Sequence, residues 1–254
     1  MSTVADIGMR RAALVRHSWG MKPVEAACAV VRDHHPGARA AFLCGSVLTG
    51  RRTPTSDLDI VVLIDGPPAP YRESLIFAGW PVELFVHTEE SWHRYVDREI
   101  AHRRSPLLRM CAAGTLLADS DGVGTRLADE ARALLAAGPP EATLAEIEDR
   151  RYALTDLLDD LAACTDEGER LFIVTELATR TAQLVLMLKS SWLGSGKWLA
   201  RELDQQAPGL AHRLDAAVRQ ALVGFSGALV GLAEEVLTQA GGRLWAGYRR
   251  DGTP

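Results

Sequence analysis

Short apolar runs alternate with segments of helical spacing along the first half of the chain. Residues 38–44 are mostly apolar and stop at Gly45, which predicts a short buried strand. Residues 57–64, Asp-Leu-Asp-Ile-Val-Val-Leu-Ile, are rich in β-branched side chains and predict a second strand. Residues 71–78 and 82–87 predict two more, around a Gly79-Trp80-Pro81 turn, and residues 115–118 a last one. Between them, residues 23–35 have helical spacing, with proline at the start and Pro36-Gly37 as the stop. Residues 90–103 form another helix, with Trp92, Tyr95 and Ile100 as its buried stripe, and residues 122–137 a third.

Gly138-Pro139-Pro140 breaks the pattern and sets a domain boundary, giving domains 1–138 and 139–254. Beyond it, Leu, Ala and Val recur at three- and four-residue spacing. Helices are expected over residues 143–164, 167–191, 197–205 and 208–241, as an antiparallel bundle. The tail from Arg249 is polar and expected to fray. The fold class is therefore α+β followed by an all-α bundle.

Composition narrows the picture without deciding it. A chain of 254 residues, 47% hydrophobic and 24% charged, suits one large or two small globular domains. A net charge of −5 argues against general nucleic-acid binding. Cys28, Cys44, Cys111 and Cys164 have no CxxC spacing, so a zinc site or disulfide framework is not expected and a reducing cytoplasm is the simpler setting. No apolar run is expected to span a membrane, and the N-terminus lacks the apolar core of a signal peptide.

Chemistry concentrates in two short segments. Gly45 lets the backbone turn sharply and admits another group closely. Ser46 adds a hydroxyl and an N–H, and a helical turn over residues 47–50 would aim further N–H groups at an anion. In a strand, residues i and i+2 share a side, so Asp57 and Asp59 project together with Leu58 and Ile60 opposite. Adjacent carboxylates repel unless a cation lies between them, and Mg²⁺ suits hard oxygen ligands that also meet phosphates. Glu83, one acid inside the apolar run 82–86, is costly to bury unless paired or metal-bound, and would complete a three-carboxylate site for two ions.

Cys44-Gly45-Ser46, Asp57-Leu58-Asp59-Ile60 and Glu83 together resemble the signature of the nucleotidyltransferase superfamily related to DNA polymerase β. Within it the chain resembles the bacterial aminoglycoside nucleotidyltransferases, which join a small catalytic domain to a C-terminal helical bundle. The resemblance covers roughly residues 40–90; residues 105–122, a helix leading into a strand and an Asp-x-Asp-Gly, also look like the family. It implies an N-terminal catalytic domain with a mixed sheet flanked by helices. It also implies an Mg²⁺-dependent transfer of a nucleoside monophosphate, AMP from ATP being the first expectation, to a hydroxyl of a small polar acceptor, with pyrophosphate leaving. Asp57 and Asp59 would hold both ions. Glu83 would be a ligand, a general base, or both. Gly45, Ser46, Ser56 and Arg51 are expected at the triphosphate, Arg52 being the other cation of that loop.

Lys197 lies in the Gly/Ser loop 190–198 between two tryptophans, and a lysine from a comparable region of the relatives reaches the phosphates. The loop lacks the full phosphate-binding pattern Gly-x4-Gly-Lys-Ser/Thr. Glu148, Asp149, Asp156, Asp159 and Asp160 could meet a cationic acceptor, Asp156 and Asp160 sharing a helix face. An acid of this helix could instead serve as general base. His34, His35, His87, His93 and His102 form no metal-like pattern. Two alternatives stand beside the small-molecule transferase: one that modifies a protein or tRNA, and a non-catalytic nucleotide sensor.

Overall fold

The structure, a computed structural model, describes residues 20–50 and 52–252. The chain divides into two compact units. The first runs up to Glu99 and resumes over Ser105–Ala137; the second takes Ile100–Arg104 and everything from Gly138.

The first unit is an α+β layer structure. It contains α1 (Pro23–His34), β1 (Ala40–Cys44), β2 (Leu58–Leu63), β3 (Tyr71–Phe77) and β4 (Trp80–His87). Then follow α2 (Glu89–Ala101), whose last turn passes into the second unit, α3 (Pro106–Ala113), β5 (Thr115–Asp119) and α4 (Val123–Ala137). The sheet order is β3-β4-β2-β1-β5, with β2 and β4 parallel and every other pair antiparallel. It is a mixed sheet flanked by helices.

One face of the sheet is covered by α1. Its small residues Ala26 and Ala27, with Val30 and Val31, pack on Ala41, Leu43, Leu58, Ile60, Val62, Val82, Leu84 and Val86. Helix α1 starts at Pro23, and Glu25 accepts from the Lys22 N–H at 3.3 Å, so its first turn is capped. Leu58, Ile60 and Val62 all point to this face, which sends Asp59 to the other. The second face buries Phe42, Val61 and Leu63, with Trp92, Leu108, Cys111 and Leu127 as buried residues of α2, α3 and α4. Glu99 caps α3 by accepting from the Leu107 N–H at 3.0 and 3.1 Å, and burial pushes its carboxyl up to about 7.

The second unit is all helical, with α5 (Leu144–Ala163), α6 (Glu167–Leu188), α7 (Lys197–Gln206), α8 (Leu210–Leu222) and α9 (Gly227–Gln239). Its core is a leucine-rich cluster that includes Leu154, Leu158, Leu177, Leu184, Leu214, Leu229 and Leu237. Thr143 and Glu146 form a capping box at the start of α5, and Asp166 caps α6. Arg103, from the segment that belongs to this unit, donates to both oxygens of Glu146 at 2.7 and 2.9 Å and to the Glu141 carbonyl at 3.0 Å.

Four expectations change. Strand β2 begins at Leu58, one residue after Asp57. Trp80 and Pro81 belong to β4 because the turn is only Ala78-Gly79, both at positive φ, +47° and +85°, as a two-residue hairpin requires. Residues 208–241 make two helices. Gly224 at φ +95° lets its own N–H reach Ala221 O (3.0 Å) and that of Phe225 reach Gln220 O (2.9 Å), a Schellman stop. Helix α6 is long and apolar enough, by length and composition, to cross a membrane, contrary to the expectation, yet Val174, Leu177, Leu184 and Leu186 lie in the bundle core.

The tail is also anchored rather than frayed. Arg250 pairs with Asp149 at 2.6 Å and Glu148 at 3.0 Å. Tyr248 donates to Asp149 at 2.9 Å and stacks on Tyr152, with ring centroids 4.1 Å apart.

Arg103 is nearly buried, with 7% of its side chain exposed against 41% for Glu146. Removing it in Arg103→Ala should cost about 2 kcal/mol, less than a fully buried pair because Glu146 sees solvent. Chemical denaturation measures this. The Arg103 guanidinium, then the Thr143 N–H, hold the Glu146 carboxyl down at about 2. The stability from this cap is therefore complete above pH ~4.5 and is lost as pH falls toward 2; in Arg103→Ala that acid-side loss should shrink.

Candidate metal centre

Strand pairing brings the acids together. Cys44, the last residue of β1, is the register partner of Asp59, and Asp59 faces Glu83 across the parallel β2–β4 pair. Asp57 stands one residue ahead of the strand on the incoming loop. One carboxylate oxygen from each of Asp57, Asp59 and Glu83 lies within 4.8 Å of the others, all three residues being half-buried. Among the described residues, no other group of His, Cys, Asp and Glu meets this test.

Gly45 sits directly against this cluster. Its φ is +86°, and a Cβ there would collide with the Asp59 carboxylate. Two separate reasons thus demand glycine: the backbone conformation and the close approach of an acid. The chain then makes one 3-10 turn over Ser46–Leu48. Ser46 Oγ and Ser56 Oγ lie 2.8 Å apart, and Ser56 Oγ accepts from the Thr53 N–H at 2.9 Å. The buried Ser56 hydroxyl therefore ties the two ends of the 46–56 loop and fixes where Asp57 emerges. Burial pushes the Cys44 thiol up, so the residue before Gly45 stays neutral.

Glu83 carries a partner that nothing in the sequence spacing marked. The Arg72 Nε donates to Glu83 Oε1 at 2.8 Å, and Ser74 Oγ lies 3.5 Å from the same oxygen. Ser74 is the register partner of Glu83, and Arg72 of Phe85, over whose ring its guanidinium sits at 4.9 Å. The available signal was the two-residue periodicity of β3, which places Arg72, Ser74 and Ile76 on the Glu83 face. A shallow hollow of about 250 Å³ opens there, lined by Asp57, Ser74, Leu75, Ile76, Pro81, Val82 and Glu83.

The remaining candidates fall elsewhere. Arg51 lies outside the described residues. Arg52 rests over the Trp80 ring at 4.9 Å, and Trp80 belongs to the α1 face of the sheet. Lys197 is an exposed residue of the second unit that opens α7. Of the α5 acids, Glu148 and Asp149 pair with Arg250 and Asp159 with Arg243 at 2.8 Å, while Asp156 and Asp160 are exposed. His87 lies 3.3 Å from Ser91 Oγ and is pushed down to about 4 by burial; His93 contacts the Glu89 carbonyl and Glu130.

The donor set fits a hard divalent ion. Oxygens around Mg²⁺ at about 2.1 Å stand roughly 3 to 4 Å apart, within a small side-chain adjustment of the observed cluster. Three carboxylates without nitrogen or sulfur donors favour Mg²⁺ or Mn²⁺ over zinc.

A Gly-Ser turn thus stands beside three acids that could hold a divalent metal ion on the mixed sheet of an α+β unit. Residues 29–102 match the family model described as nucleotidyltransferase domain, and this stretch contains the turn, the acid pair and Glu83. The match does not extend past residue 102, so it leaves the helices from Leu144 onward unassigned. Among solved structures, the chain is similar to a nucleotidyltransferase-like protein from Exiguobacterium sibiricum 255-15. The two share 14% identity and a TM-score of 0.45, over 86% of this chain and 77% of that one. No curated protein matches the chain.

Replacing Gly45 with alanine should displace the Asp59 carboxylate and strain the turn by about 1–3 kcal/mol. Calorimetric titration with Mn²⁺ should show affinity at least about tenfold weaker than wild type. Unchanged affinity would mean that Asp59 does not hold the ion.

Proposed function

We propose that this chain transfers a nucleoside monophosphate, AMP from ATP, to a hydroxyl of a small polar acceptor of the aminoglycoside type. The observation that carries the reading is the cluster of Asp57, Asp59 and Glu83 beside the Gly45-Ser46 turn. In the reaction, the acceptor oxygen forms a bond to the α-phosphorus, the bond to pyrophosphate breaks, and the acceptor proton leaves. Asp57, Asp59 and Glu83 would hold the divalent ions, two in this proposal. Bound there, the ions neutralise phosphate charge and lower the pKa of the acceptor hydroxyl. Glu83 borders the hollow beside β3, and in this proposal it takes the acceptor proton.

Ser46, with the backbone of Gly45, contacts the leaving phosphates; Ser56 holds Ser46 and Asp57 in place for this. Arg51 and Lys197 supply cationic help. The catalytic domain is residues 1–138 and the helical domain 139–254. Asp156 and Asp160, exposed on the helical unit, suit a cationic ligand. Antibiotic modification in the cytoplasm is consistent with the four free thiols, Cys28, Cys44, Cys111 and Cys164. A net charge of −5 favours a small acceptor over nucleic acid.

The test is pyrophosphate release with Mg²⁺, each labelled triphosphate in turn and a panel of aminoglycosides, proteins and tRNA. Release with ATP and an aminoglycoside is expected. Release only with a protein or tRNA would move the acceptor, and tight Mg-nucleotide binding without turnover would indicate a sensor. Asp57→Ala and Asp59→Ala should each lower turnover by at least about a thousandfold with circular dichroism unchanged. Glu83→Gln should lower it by about a hundredfold. Normal turnover by either aspartate variant would defeat the proposal.

A further inference from the structure

We propose that Arg72 is a resident counter-ion that competes with the divalent ion for Glu83, so that the affinity of the metal centre is set by a residue outside it. The inference rests on the metal-site reading above and concerns the protein before any substrate binds.

Three half-buried carboxylates with an oxygen of each within 4.8 Å of the others repel one another, and a cation beside them relieves that repulsion. Among the described residues, Arg72 is a cation that pairs with one of these acids. Its Nε and Nη2 both address the same oxygen, Glu83 Oε1, at 2.8 and 2.5 Å. Ser74 Oγ is 3.5 Å from that oxygen as well. Oε1 is thus held by the guanidinium, and a metal that takes this oxygen does so by displacing Arg72.

The two partners differ in how easily they move. Glu83 is held in the sheet, with 20% of its side chain exposed, whereas Arg72 on the edge strand is 64% exposed. The guanidinium can therefore swing into water at little solvation cost, giving up its place over the Phe85 ring. The pairing is not the parallel two-oxygen fork that would make it hard to break. An arrangement of this kind lowers apparent metal affinity by the free energy of the pair it breaks. For an exposed pair that amounts to about two- to fivefold.

The experiment is Mn²⁺ titration by calorimetry, without nucleotide, of the wild type, Arg72→Ala, Glu83→Gln and the double variant at one pH and low salt. Arg72→Ala should bind Mn²⁺ two- to fivefold more tightly. In the Glu83→Gln background, the same substitution should change nothing. The difference should shrink as salt rises. Melting curves give a second readout: Mn²⁺ should raise the melting temperature of Arg72→Ala more than that of wild type.

Equal or weaker binding by a folded Arg72→Ala overturns the inference and makes Arg72 a support for Glu83 instead. A tighter Arg72→Ala whose effect persists in the Glu83→Gln background also overturns it, since the charge would then act at a distance. If the wild type binds no Mn²⁺, or Asp59→Ala binds it as well as wild type does, the metal centre itself fails.

Discussion

Repulsion among three carboxylates is the interaction around which the first unit is organised. At the observed spacing each charged pair costs roughly 1 kcal/mol in water and 3 kcal/mol at the dielectric of a protein surface. Nothing in a sheet favours that arrangement, so the fold must impose it. It does so through the parallel pairing of β2 with β4, which sets Asp59 opposite Glu83, and through β1, which ends with Cys44 beside Asp59. The register cannot slip, because Leu58, Ile60 and Val62 are locked under α1 while Val61 and Leu63 are buried on the other face. A shift of one residue would bury Asp59 beneath α1.

Much of this was legible in the chain. Gly45, the Asp-x-Asp pair and the acid in the run 82–86 each carry a local physical signature, and their order specified which strands must lie together. The glycine was expected for its turn and for a close approach; that the approaching group is the Asp59 carboxylate is a contact across strands that spacing cannot show. Arg72 stayed hidden for a similar reason. Its meaning depends on which residue of β4 stands beside it, and the hairpin register follows from a two-residue turn whose first residue, Ala78, gives no hint of positive φ.

The helical half was read correctly as helix and less well in its punctuation. Gly224 stops a helix that otherwise looks continuous, because the stop depends on two backbone hydrogen bonds rather than on any breaker pattern. The C-terminal segment looked polar and unattached. Arg243 and Arg250 are in fact partners of acids on α5, so Glu148, Asp149 and Asp159 serve the packing of this unit. Acid-rich helix faces with internal partners and those left for ligands have the same sequence, and exposure does not separate them: Asp159 is exposed, as Asp156 and Asp160 are, although it pairs with Arg243.

The ion itself is the most direct object of measurement. Crystals of the protein grown with Mn²⁺ and measured at the manganese absorption edge should give an anomalous peak coordinated by Asp57, Asp59 and Glu83, next to the Gly45-Ser46 turn. Anomalous density confined to other surface acids, with these three carboxylates turned away from one another, would contradict the account.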